Sequence, residues 1–150
     1  MLLDVAVCLP QDAETVGLIR SVVKNALRSF GESEDCVEAI CLALSEAGTN
    51  VIEHAALDDA YEVRVQIDEQ HCAISVKNTG NGFDAAALRG VMPDPLSPRG
   101  RGVAIMRTVM DRVDFDSGEE TGTIVHLVKT LTIEPGGLLD RLRRRLQARL

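Results

Sequence analysis

The chain is poor in aromatic residues, with three Phe, one Tyr and no Trp in 150 positions. Its core must therefore be built from Val, Leu, Ile and Ala, and base stacking on aromatic platforms is excluded as a mode of nucleic-acid binding. Only three histidines are present, scattered and away from any close cysteine group, so a structural zinc site is not supported. The four cysteines (Cys8, Cys36, Cys41, Cys72) form no CxxC pair and fall in apolar-periodic segments. They read as buried free thiols of a reducing compartment. Nowhere do eighteen apolar residues run together, and MLLDVAVCLP lacks a basic flank, so neither a membrane span nor a signal segment is expected. A cytoplasmic setting follows as the expectation.

Positive charge is also scarce, and it is unevenly placed. The formal net charge is −7, yet residues 137–150 carry five Arg and one Asp, leaving residues 1–136 with 11 basic and 22 acidic residues. An acidic body repels a phosphate backbone, so direct nucleic-acid binding is not expected. The tail GGLLDRLRRRLQARL sets Leu138, Leu139, Leu142, Leu146 and Leu150 at helical spacing among arginines. Such a stripe suits docking on the acidic body or a partner helix better than stable membrane insertion, because one short amphipathic segment binds membrane weakly. Two units are expected: a domain over 1–136 and a basic amphipathic helix over 137–150.

Hydrophobic periodicity orders the rest. Leu3, Val5, Val7 and Leu9 alternate up to Pro10, as in a short strand. Val16, Ile19, Val23, Leu27 and Phe30 then fall on one helical stripe that Gly31 ends. Ser33 can cap a second helix with Val37, Ile40, Cys41, Leu44, Ala47 and Val51 as its apolar side. Alternation over 61–67 and 72–76 gives a hairpin, and a second spans about 112–131. Pro93, Pro95, Pro98 and three glycines mark 85–102 as loop, with a helix over about 103–110 behind it. Helices grouped apart from hairpins predict an α+β fold, a two-layer sandwich with helices on one face of a mainly antiparallel mixed sheet.

Chemistry concentrates in three stretches. Glu46, Asn50 and His54 stand four apart, one polar row at the edge of the apolar stripe of the second helix. "NTGNG" follows a strand, where glycines allow close backbone approach, and "RGRG" precedes a helix whose terminal N–H groups suit an anion. A carboxylate, an amide and two glycine turns around a loop are the parts that nucleoside triphosphate chemistry needs.

These residues resemble the GHKL (Bergerat-fold, HATPase_c) ATPase superfamily. "SEAGTNVIEHA" resembles its N box, "NTGNGFD" and "GRGVAIMRTVMDRVDF" its two glycine boxes, and "GTIVHLVKTL" its closing strand. Only about seventeen residues separate Gly82 from Gly100, short for a sensor histidine kinase lid, so the resemblance is to the anti-sigma-factor serine/threonine kinases. It implies Asn50 as a Mg²⁺ ligand and Glu46 as the base for the attacking hydroxyl. It implies Gly80 and Gly82 against the base and ribose of ATP, and Gly100, Gly102 and Arg101 around the phosphates. Thr123 would support the adenine pocket, and His54 would either help a phosphate or finish the helix. The family's adenine-contacting aspartate is here Asn78, which implies weakened but retained ATP binding. The resemblance further implies a homodimer that sequesters a sigma factor and phosphorylates a STAS-type anti-anti-sigma antagonist. The other reading is a non-catalytic binding module whose pocket has decayed.

Overall fold

The computed structural model describes residues 1–54, 60–78, 101–118 and 122–149, with backbone alone at His54, Ser117, Gly118, Gly122 and Thr123. In chain order the elements are β1 (Leu3–Pro10), α1 (Ala13–Ser29), α2 (Glu34–His54), β2 (Ala60–Ile67), β3 (His71–Asn78), α3 (Arg101–Val109), β4 (Arg112–Gly118), β5 (Gly122–Thr130) and α4 (Leu138–Ala148). The five strands form one sheet in the order β1-β2-β3-β5-β4. Each pairing is antiparallel, so no parallel pair of the kind a mixed sheet carries is present among the described residues.

The helices start and stop where local chemistry directs. Asp12 caps α1 by accepting from the Glu14 N–H at 2.9 Å. Gly31 turns the chain out at φ +81°, a conformation open to glycine at little cost. Ser33 begins α2, its Oγ accepting from the Cys36 N–H and its carbonyl from the Val37 N–H. The apolar residues of α2 (Val37, Ile40, Leu44, Ala47, Val51) are completely buried against the inner sheet face of Val63, Val65, Ile74, Val76, Val125 and Leu127.

The α1–α2 crossing is close because Gly48 has no side chain. A Cβ there would lie 3.0 and 3.1 Å from the two methyl carbons of Val16. Overpacking of this kind costs ~1–3 kcal/mol, while alanine in a helix interior returns ~1 kcal/mol, so Gly48→Ala is expected to destabilise by about 1 kcal/mol. Urea unfolding measures this, and a stabilised variant would show that the crossing has slack.

Two cysteine expectations divide. All four thiols are free, and Cys36, Cys41 and Cys72 are buried, with burial pushing the Cys72 thiol up to about 12. Cys8, however, is exposed, because β1 is an edge strand and Cys8 lies on the face opposite Leu9. The same edge position leaves Val5 more than a third exposed in spite of its place in the alternating pattern.

The tail docks by its first turn. Leu139 is 2% exposed and its N–H donates to the Phe30 carbonyl at 3.0 Å. Beside this junction the buried Glu32 accepts from the Thr132 N–H at 2.6 Å, tying the α1–α2 turn to the segment after β5.

Candidate active site

The site is built on the fourth and fifth turns of α2. Glu46 and Asn50 are one helical turn apart, so both side chains leave the helix on one side. Over them lies the start of α3. A Cβ on Gly102 would stand 2.8 Å from Glu46 Oε2 and 3.5 Å from Asn50 Oδ1, so the Glu46 carboxylate keeps its place only while residue 102 lacks a side chain. Three residues from two separated stretches of sequence therefore share one small volume.

The electrostatics suit a base. Burial, reinforced by the nearby charge of Glu53, raises the Glu46 carboxyl above the usual glutamate value. Asn50 is 8% exposed, and its Nδ2 has no hydrogen-bond partner among the described residues. A buried amide left in that state costs ~1–3 kcal/mol, which a polar ligand would recover. Gln11 supports the same turn of α2 by donating from Nε2 to the Val51 carbonyl at 3.4 Å.

The donor set also fits one hard cation. Asn50 presents an amide oxygen, a hard ligand, and no group of three or more His, Cys, Asp or Glu suited to a metal occurs among the described residues. Magnesium needs no more, since it is usually held by one or two protein oxygens together with substrate phosphates.

Asn78 closes β3, fully buried, on the same sheet face as Ile74 and Val76. Its cross-strand partner is Tyr61, also fully buried. The Tyr61 hydroxyl meets Thr15 Oγ1 at 2.5 Å. Because Thr15 directs its proton to the Asp12 carbonyl at 2.6 Å, Tyr61 is the donor. This bond ties the start of α1 to the strand that flanks Asn78.

The remaining expected residues are placed as follows. Arg101 is the first residue of α3 and is exposed. His54 ends α2 and Thr123 pairs with Ser117 in the β4–β5 hairpin, their side chains lying outside the described residues, as do Gly80, Gly82 and Gly100 altogether. Three contributors have no place in the sequence reading of the site: Glu53, Tyr61 and Thr15. Glu53 stands seven residues after Glu46, a spacing that puts both on one helix side and was available as a signal. Tyr61 and Thr15 are 46 residues apart, and nothing local links them.

A helix carrying a half-buried carboxylate and a buried amide, roofed by the glycine of a second helix beside an antiparallel sheet, has the layout of an ATPase-type site. Residues 9–129 match the family model described as a histidine kinase-like ATPase domain. Among curated proteins, the chain is 35% identical over 122 residues to serine-protein kinase RsbW of Bacillus licheniformis, covering 73% of this chain and 76% of that one. Serine-protein kinase RsbW of Bacillus subtilis is 30% identical over 137 residues, 84% of each chain. The chain thus belongs to the histidine kinase-like ATPase family, and within it to the RsbW-type serine-protein kinases. The fold agrees. The RsbU and RsbW domains of a Mycobacterium tuberculosis protein superpose with a TM-score of 0.66 at 18% identity, over 86% of this chain and 32% of that longer one. The SiaB–SiaC complex of Pseudomonas aeruginosa gives 0.60 at 13% identity, over 84% and 88%.

Proposed function

We propose that the protein is an ATP-dependent serine/threonine kinase and anti-sigma factor of a bacterial partner-switching system. It holds a sigma factor and releases it according to the phosphorylation state of a STAS-type antagonist, whose serine it phosphorylates. The observation that carries the kinase reading is the seat of Gly102 against the oxygens of Glu46 and Asn50. This intact cluster favours catalysis over a decayed binding module.

Glu46 accepts the proton of the serine hydroxyl as its oxygen attacks the γ-phosphorus, and ADP leaves with the electrons of the broken P–O bond. Asn50 would hold Mg²⁺ through its amide oxygen, and that ion would offset charge on the phosphates. Asn78, with Gly80 and Gly82, receives the base and ribose. Gly100, Arg101 and Gly102 border the phosphates, Thr123 supports the adenine side, and His54 finishes α2 near them. Residues 1–136 form the kinase domain and 137–150 its basic appendage. A cytoplasmic location is supported by the four free thiols, which suit a reducing compartment. A homodimer is supported by β1, an edge strand whose exposed Val5 lines an apolar groove with the exposed Val22 of α1.

The test uses γ-labelled ATP with Mg²⁺ and a co-encoded STAS protein. Label is expected on a serine of that protein, and the unlabelled antagonist is expected to displace sigma from the kinase. Binding of ATP with no transfer to any hydroxyl would overturn the reading.

A further inference from the structure

The tail helix α4 lies at the end of the sheet opposite Asn78. Arg143, Leu146 and Gln147 face the β2–β3 turn of Asp68, Glu69 and Gln70 across a cleft of about 230 Å³. Beyond its buried Leu139 the helix turns outward, and every residue from Arg144 to Arg149 is exposed. Leu142 is half-buried, whereas Leu146 is 36% exposed and is the part of the leucine stripe left open to a further contact.

Arg141, Arg145 and Arg149 stand at i, i+4 and i+8, one row of guanidinium groups about 12 Å long at a rise of 1.5 Å per residue. All three are exposed, and among the described residues only Arg144 of the five tail arginines makes an ion pair, to Asp140 at 3.2 Å. Like charges at i, i+4 destabilise a helix, so the row works against the element that carries it. The single acid of the segment does not relieve it, because Asp140 is spent on Arg144 and on the Gly136 N–H.

We propose that this face of α4 is a docking surface for an acidic, helix-forming protein segment, whose carboxylates pair with Arg141, Arg145 and Arg149 and whose apolar side covers Leu146. Charge complementarity selects that occupant. An extended polyanion or an anionic bilayer would meet the acidic body, with 22 acidic against 11 basic residues over 1–136. A short segment confined to the helix does not. Planar guanidinium groups also suit carboxylates, which they bind through two parallel hydrogen bonds. The surface is remote from the nucleotide site, so the proposal stands apart from the kinase reading.

The test takes the full chain and a fluorescent, leucine-bearing peptide with glutamates at i, i+4 and i+8. Its control is a peptide of the same composition whose glutamates are spread around the helix. The aligned peptide is expected to bind more tightly, to weaken in about 0.5 M NaCl as screened charges do, and to lose about tenfold in affinity, the equivalent of one charge-assisted contact, against R141Q/R145Q/R149Q. That variant should melt no lower than the parent, because the like-charge row is gone. Equal binding of the two peptides, or of parent and variant, would overturn the proposal. So would tighter binding to phosphatidylglycerol vesicles or duplex DNA, or a self-association in sedimentation that the triple substitution abolishes, which would make a second copy the occupant.

Discussion

Gly102→Ala is expected to lower phosphotransfer by about 10²- to 10³-fold, the scale on which a misplaced general base acts, in a protein that still folds. The new methyl carbon would stand 2.8 Å from Glu46 Oε2. That oxygen is the far end of a flexible side chain, so the carboxylate swings aside and little stability is lost. The base, however, is then out of position. Glu46→Gln should give a similar loss with no steric change, because the amide cannot take the proton. Burial raises the Glu46 carboxyl, so turnover of the parent should fall with acidification from a higher pH than an ordinary glutamate would set, and Glu46→Gln should lack that limb. The stability sign is opposite. A carboxyl whose folded pKa is raised contributes stability below its unfolded pKa and loses it as pH rises through the folded value. The ionised base therefore opposes folding at neutral pH, and Glu46→Gln should melt higher than the parent while being inactive. Full activity of Gly102→Ala with a normal melt would remove Glu46 from its assigned role.

What the sequence disclosed and withheld follows from range. The stripes of α1 and α2 and the alternation of β2 and β3 are local patterns, and they marked those elements within a few residues. The sequence pattern puts the start of α3 near 103, two residues after its actual start at Arg101, because Gly102 reads as a turn. In the structure it lies inside the helix, and its missing side chain serves the packing over Glu46. Gly48 repeats the lesson: a glycine in mid-helix is unfavourable locally and is explained only by Val16, which arrives from another helix. Glu46 and Asn50 were legible as a row, but the burial of Asn50 and the partial desolvation of Glu46 were not, and the raised basicity of Glu46 depends on that desolvation. Pairings such as Tyr61 with Thr15, or Glu32 with Thr132 one hundred residues away, leave no periodic trace. The exposed Cys8 shows the converse, an apolar pattern that the edge of a sheet leaves uncovered.

Asn78→Asp is expected to raise ATP affinity about tenfold, since a charge-assisted hydrogen bond to the adenine amino group contributes ~1.5–3 kcal/mol against ~1 for a neutral one. The position is fully buried between β3 and the helices, which sharpens the expectation. Without nucleotide, a carboxylate there is desolvated, so the variant should melt lower than the parent. With nucleotide it gains a partner, so the ATP-induced rise in melting temperature should be larger than in the parent. Base selectivity should tighten as well. The asparagine amide offers both an acceptor and a donor, and can turn the donor toward a carbonyl such as guanine O6, whereas a carboxylate can only accept. Calorimetry with ATP and GTP on the two proteins reads both effects. An unchanged ATP affinity, or an Asn78→Asp protein that gains as much for GTP as for ATP, would mean that this residue does not meet the purine edge. The opposite result would make residue 78 the point at which this chain sets its affinity for the nucleotide independently of the chemistry at Glu46.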